Sequence, residues 1–309
     1  MQRMRDSTFQ RSFVGLGLTV GGGALGVMII LFGYPFPEGS ASQRFVQQPG
    51  FVVWLILIGV LTALLTLFAV PLWLSLRSFK EHYTHNKLDT IISTVIIALL
   101  FIAPSPLRDL GNVPTPDLQY HSEKVGIILL FGLFTTMPAW VGILLIRMAS
   151  QSAFAAIEST HDETAIMALV NRYLDYRRAL QRYITILGVL VGLLTLATGA
   201  LRSVQISAGM PESEYPIAVV LVYGLYYTVV LALIYTPTYV SLLDAGSRLR
   251  DRIYPLDSLP SLIENTEKRA KMDEVLQLNV RAEHSLRAGI AILAPLLSGL
   301  FSSLLDLKL

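Results

Sequence analysis

The sequence predicts an all-α protein, a polytopic transmembrane helical bundle of six to seven spans with a small cytoplasmic helical annex. Three observations lead there. Of 309 residues, 53% are hydrophobic and only 15% charged, where ordinary soluble domains carry about 25% charge. The mean hydropathy is +0.57. The apolar residues gather into membrane-length runs, and the basic residues gather between alternate runs.

A spanning helix needs roughly 20 predominantly apolar residues. Six stretches meet that length: 13–34, 51–76, 88–101 running on to about 107, 125–146, 183–201 and 217–243. A seventh, 288–305, is just long enough, and its shortness leaves a re-entrant or surface-lying segment as the alternative. In hydrocarbon every backbone polar group must be satisfied within its own segment, so runs of this length are helices and not barrel strands. The first run has an arginine-bearing lead, as a signal peptide would. Its apolar length exceeds the usual ~7–15 residues of such a peptide, so it reads as an uncleaved first span.

Orientation follows from the basic residues. One side carries Arg3, Arg5, Arg11, Arg77, Lys80, Lys87, Arg147, Arg172, Arg177, Arg178, Arg182, Arg248, Arg250, Arg252, Lys268, Arg269, Lys271, Arg281 and Arg287. The other carries only Arg44, Arg108, Lys124 and Arg202, with Lys308 unassigned. The positive-inside rule makes the crowded side cytoplasmic. The expected location is therefore the inner (plasma) membrane, multi-pass, with a cytoplasmic N-terminus.

The chain divides into residues 1–147 (spans one to four), a cytoplasmic loop 148–182, spans five and six in 183–243, a cytoplasmic segment 244–287, and the last helix 288–309. The first loop opens with a Thr160-x-x-Glu163 capping box. The second contains Pro255 and Pro260 and then a charged helix from about Ser261, with Met272, Val275, Leu276 and Val280 as its apolar stripe. Neither loop is large enough to hold a core alone, so the two are expected to pack on each other.

A short phrase recurs in the second, fourth and sixth spans: Pro71-Leu-Trp73-Leu-Ser75-Leu76, Pro138-Ala-Trp140-Val-Gly142-Ile143 and Pro237-Thr-Tyr239-Val-Ser241-Leu242. Convergence on interfacial aromatics and true repetition both account for it. Either way Pro71, Pro138 and Pro237 each free a carbonyl one turn earlier and are candidate hinges.

The spans hold almost no ionisable residues, which argues against proton-coupled transport and voltage sensing. Their chemistry is small and hydroxylic. Gly22 and Gly26 form a GxxxG pair in the first span. Ala291, Ala294, Ser298, Gly299 and Ser302, with Pro295, form a small face on the last helix, opposite Leu293, Leu296, Leu297, Leu300 and Leu304. Such faces serve either close helix packing or a narrow pore lining. Tyr223, Tyr226 and Tyr227 flank Gly224 and are candidates for lipid or small-molecule contact. Arg177, Arg178, Arg248, Arg250 and Arg252 are placed to meet anionic headgroups, at about 1 kcal/mol per charge.

Enzyme signatures are absent from the sequence: no G-x-S-x-G, no P-loop and no dinucleotide fingerprint. With no cysteine, disulfides and thiolate chemistry are excluded. His82-x-x-His85 lacks an evident third metal ligand. No cofactor and no nucleic-acid partner is expected. The expected partners are membrane lipids and either further copies of the chain or the other subunits of a membrane complex. Three functions fit: an oligomeric pore or channel-like effector that permeabilises the membrane, a non-catalytic scaffold docking a partner through its cytoplasmic helices, and a lipid- or small-molecule-binding protein.

Overall fold

A computed structural model describes residues 2–32, 41–77, 87–102, 120–155, 162–256, 259–278 and 282–306. Among them lie nine helices and no strand: α1 (Gln2–Leu31), α2 (Ala41–Gln47), α3 (Pro49–Arg77), α4 (Lys87–Ile102), α5 (His121–Ala155), α6 (Glu163–Ser207), α7 (Ile217–Ile253), α8 (Leu259–Val275) and α9 (Ala282–Asp306). Four of these, α3, α5, α6 and α7, are long and apolar enough to cross a membrane.

Helix α6 is the axis of the bundle. It packs against α3, α5, α7 and α9, and buried side chains run down its whole length from Val170 to Gln205. With 45 residues it measures about 68 Å at 1.5 Å per residue, roughly twice the ~30 Å hydrocarbon layer. The surplus lies at its N-terminal half, the basic end, where Arg172, Arg177, Arg178 and Arg182 fall.

The packing partners fix the helix directions. On α1 and α3, Gly22 meets Thr66 while Gly26 meets Thr62, an antiparallel register. On α6 and α9, Gly188 meets Ala291 and Gly199 meets Ser302, a parallel one. Tyr173 near the start of α6 meets Gly246 near the end of α7, and Gly199 meets Val220 at the other end. Thus α3, α5 and α7 run toward the basic end, and α1, α6 and α9 run away from it.

Helix α6 starts on Asp162, whose carboxylate accepts from the Thr164 N–H at 3.0 Å. This corrects the expected capping box: a helix beginning at Glu163 needs its cap one residue earlier, and the short aspartate side chain reaches that amide. Thr160 lies outside the described residues. Helix α6 ends in a Schellman turn, with Gly209 N–H on Ile206 O and Met210 N–H on Gln205 O. Gly209 takes φ +107°, which a side chain would resist.

Helix α8 starts at Leu259, two residues before the expected start, and ends in the same motif. Gln277 N–H bonds Glu274 O and Leu278 N–H bonds Asp273 O. Here the left-handed position (φ 55°) is filled by Gln277, not glycine. The His82/His85 pair lies outside the described residues.

Candidate functional site

The three proline phrases close around the basic half of α6. Pro71, Pro138 and Pro237 each lie inside an uninterrupted helix, α3, α5 and α7. The small residue four places later faces a neighbouring helix in each. Ser75 shares a 2.7 Å hydrogen bond with Tyr183 of α6. A side chain on Gly142 would overlap the ring of that same Tyr183. Ser241 bonds Ser150 of α5 at 3.0 Å. The aromatic positions are used differently: Trp73 is partly exposed against Phe134, Trp140 is buried, and Tyr239 stacks on Tyr235.

Tyr239 also lies under Arg177. The guanidinium carbon sits 5.8 Å above the Tyr239 ring centroid. Its Nε donates to Gln277 Oε1 at 3.1 Å and its Nη1 to the Tyr173 hydroxyl at 3.1 Å. These contacts join α6, α7 and the end of α8 around one cation. Arg177 is only 4% exposed, unlike a side chain lying free on the surface. It occupies the buried stripe Val170, Tyr173, Arg177, Leu180 and Ile184, and that position overrides its polarity.

None of its partners carries a negative charge. Every annex carboxylate seen in an ion pair is engaged elsewhere: Asp175 by Arg178, Asp244 by Arg248, Asp251 by Arg250 and Arg269, Asp273 by Arg250, Glu264 by Lys268 and Glu267 by Lys271. A buried ion without a counter-ion costs several kcal/mol. A desolvated cation–π contact returns about 2 kcal/mol and two neutral acceptors return less. Among the described residues, no carboxylate forms an ion pair with this cation. Gln277 accepts from Arg177 while held in a backbone conformation that disfavours non-glycine residues by about 1–2 kcal/mol. Strain of this kind gathers where a side chain has to be aimed.

The other arginines expected at headgroups are less deeply buried. Arg178 and Arg248 are exposed. Arg250 is mostly covered and ties α7 to α8 through Asp273 at 2.9 Å. Arg252 is part-exposed. Arg269 adds a bond to Tyr254 O at 2.8 Å, and Asn265 one to Pro255 O at 2.9 Å. The two expected loops pack on each other through Tyr173 against Gly246 and Arg177 on Gln277.

The small faces lie where helices touch inside the chain. Side chains at Gly22 and Gly26 would overlap Thr66 and Thr62. The last helix sets Ala291, Ala294, Ser298 and Ser302 against Gly188, Gly192 and Gly199 of α6, and Pro295 against Gly224 of α7; Gly299 packs near Val220 and Leu221. Its Leu293, Leu297 and Leu300 face outward.

Tyr223, Tyr226 and Tyr227 of α7 make contacts within the bundle. Tyr226 donates to Leu100 O of α4 at 2.7 Å and meets Tyr227 edge-on. An apolar crevice lies elsewhere, between α3, α5 and α6, lined by Leu61, Leu65, Ile128, Gly132, Thr136 and Leu190. Among the described residues no cluster of His, Cys, Asp or Glu could hold a metal.

Sequence reasoning placed Lys124 and Arg202 on the sparsely charged side and gave them no further role, yet both are buried. Lys124 donates to Ile30 O at 3.1 Å, satisfying a carbonyl left open by the last turn of α1. Arg202 donates to Tyr215 O at 2.7 Å and to Glu212 at 2.9 Å, holding the connection from α6 to α7. A basic residue isolated on the sparsely charged side was the available signal. No family model matches the chain, and no curated protein or solved structure matches it either.

Proposed function

We propose that the chain is a non-catalytic, multi-pass membrane protein of the inner membrane that docks a partner through a helical annex on the cytoplasmic side. In this reading seven helices cross or enter the bilayer, and the basic end is the working face. The observation that carries it is the overrun of α6 and α7 beyond membrane length, with α8 clamped onto both by Arg177–Gln277 and Arg250–Asp273. On this platform Ile263 is 80% exposed, an apolar side chain on an otherwise charged helix. Rigid helices beneath a membrane, presenting such residues, suit recognition of a partner helix.

The chain has no cysteine, so single cysteines report topology directly. Lys271→Cys should react with an impermeant maleimide only in inverted vesicles, and Glu212→Cys only in intact cells. Labelling of both from one side removes the topology. The docking reading predicts that a protein partner co-purifies stoichiometrically with the full chain and is lost on Ile263→Glu. A partner-free preparation from native membranes, or one indifferent to that change, removes the docking.

One observation favours a second reading, an oligomeric channel-like assembly. Helix α6 fills the axis of the single chain, so a conduit would lie between copies. On α1, Gly17 and Gly21 lie one turn apart and each faces open space among the described residues, leaving a close-packing face open to another helix. Liposomes carrying the protein should then leak ions above the background of empty vesicles. Background-level flux, together with no Gly21→Cys dimer cross-link, rejects it.

A further inference from the structure

We propose that Arg177 and the residues around it form a binding site for one phosphate-bearing anion, the headgroup of an anionic phospholipid. The buried guanidinium spends Nε on Gln277 and one Nη1 proton on Tyr173, and Nη2 has no acceptor among the described residues. An arginine with its far edge free presents parallel N–H donors, the geometry that grips two oxygens of a phosphate. Among the described residues Arg177 makes no ion pair, and Asp175, Asp244, Asp251, Asp273, Glu264 and Glu267 pair with other cations. An anion from outside would supply the missing charge.

Depth favours a lipid. Arg177 lies six residues before Tyr183, where the apolar run of α6 begins. That is about 9 Å along the helix axis, the level of the headgroups if the basic end meets the membrane surface as proposed above. Tyr173 and Tyr239, which position the guanidinium, suit that level, because their rings are apolar and their hydroxyls polar. The site differs from the exposed Arg178 and Arg248, which attract any anionic surface without selecting one molecule.

The test uses the full chain in detergent, delipidated and titrated by native mass spectrometry with phosphatidylglycerol, phosphatidylcholine and inorganic phosphate. Phosphatidylglycerol should saturate at one per chain. Arg177→Gln should weaken it at least tenfold, while Arg178→Gln should change it less than about threefold. Arg177→Lys keeps the charge but not the fork, and should lose an intermediate factor even if the glutamine variant fails to fold. Competition by inorganic phosphate would support the same site for a free anion. Three results overturn the proposal: no saturable binding of either anion to the wild type, equal losses in Arg177→Gln and Arg178→Gln, or phosphatidylcholine binding as tightly as phosphatidylglycerol. Cysteine labelling tests the orientation separately, so failure of this site and failure of the topology are distinguishable.

Discussion

The hydroxyl of Tyr183 lies 2.7 Å from that of Ser75, and the ring of the same tyrosine fills the space that Gly142 leaves open. One side chain of the central helix thereby locks to two of the three helices that carry the repeated proline phrase, α3 through a hydrogen bond and α5 through shape. The two locks differ in energy. Interhelical hydroxyl bonds in membranes contribute about 0.6 kcal/mol on average, whereas forcing a methyl into filled space costs about 1–3 kcal/mol.

Gly142→Ala is therefore expected to destabilise the protein by about 1–3 kcal/mol, and Ser75→Ala by less than about 1 kcal/mol. Thermal unfolding in detergent, followed by tryptophan fluorescence, reads both. A Ser75→Ala loss larger than that of Gly142→Ala would show that the hydroxyl pair, not the fit, holds α3 and α5 to α6.

A second contrast separates glycines that pack from glycines that face outward. A side chain at Gly188 would run into the backbone of Ala291, whose Cα would lie 2.8 Å away, and backbone cannot swing aside. At Gly21 nothing stands within 4 Å, and replacing a helical glycine with alanine is worth up to about 1 kcal/mol. Gly21→Ala should leave the melting temperature unchanged or raise it, and Gly188→Ala should lower it by several degrees. The reverse order would mean that α9 does not pack on α6 through this seam.

Much of this was legible in the sequence, and the reasons are physical. Apolar runs of membrane length announce helices because no other structure satisfies their backbone. The glycines of α1 and the small face of α9 announce close approach, but not its partner. Nothing in Gly22-x-x-x-Gly26 names Thr62 and Thr66, since that pairing depends on the relative register of two helices. The burial of Arg177 was hidden for a related reason. Its neighbours in sequence are charged, and only the helical spacing to Tyr173, Leu180 and Ile184 placed it inward. The end of α8 carried no glycine signal, because Gln277 takes the left-handed position that glycine usually fills.

At the opposite end, Arg202 is 1% exposed and holds the α6–α7 connection through Tyr215 O and Glu212. Glu212 itself is largely in solvent, at 75% side-chain exposure, so the pair is not a fully buried one. Glu212→Gln should cost less than about 1 kcal/mol. Arg202→Leu leaves the Tyr215 carbonyl without its donor and should cost about 1–3 kcal/mol. Hydrogen exchange at the Gly209 and Met210 amides, which close the Schellman turn, should speed up in the arginine variant far more than in the glutamate one. Equal acceleration in both would place the holding contact in the ion pair instead.

Helix α8 carries a pH dependence with a definite sign. Glu264 bonds Lys268 and Glu267 bonds Lys271, one turn apart on an exposed face. Each ammonium holds its carboxyl below the ordinary value of 4.5, and each carboxylate holds its lysine above 10.5. A lowered carboxyl contributes stability that is present above its unfolded value and is lost as the pH falls through the folded one. The raised lysines contribute below 10.5 and lose it as the pH climbs through their folded values. The contribution is thus level around neutrality and declines at both extremes. Hydrogen exchange across residues 259–275, corrected for intrinsic rates, should show α8 opening more readily as the pH drops from 5 toward 3. The double variant Glu264→Gln, Glu267→Gln lacks the titrating pairs and should show a flatter profile. Identical profiles would move the acid sensitivity off these pairs, to the contacts that clamp α8 onto α7.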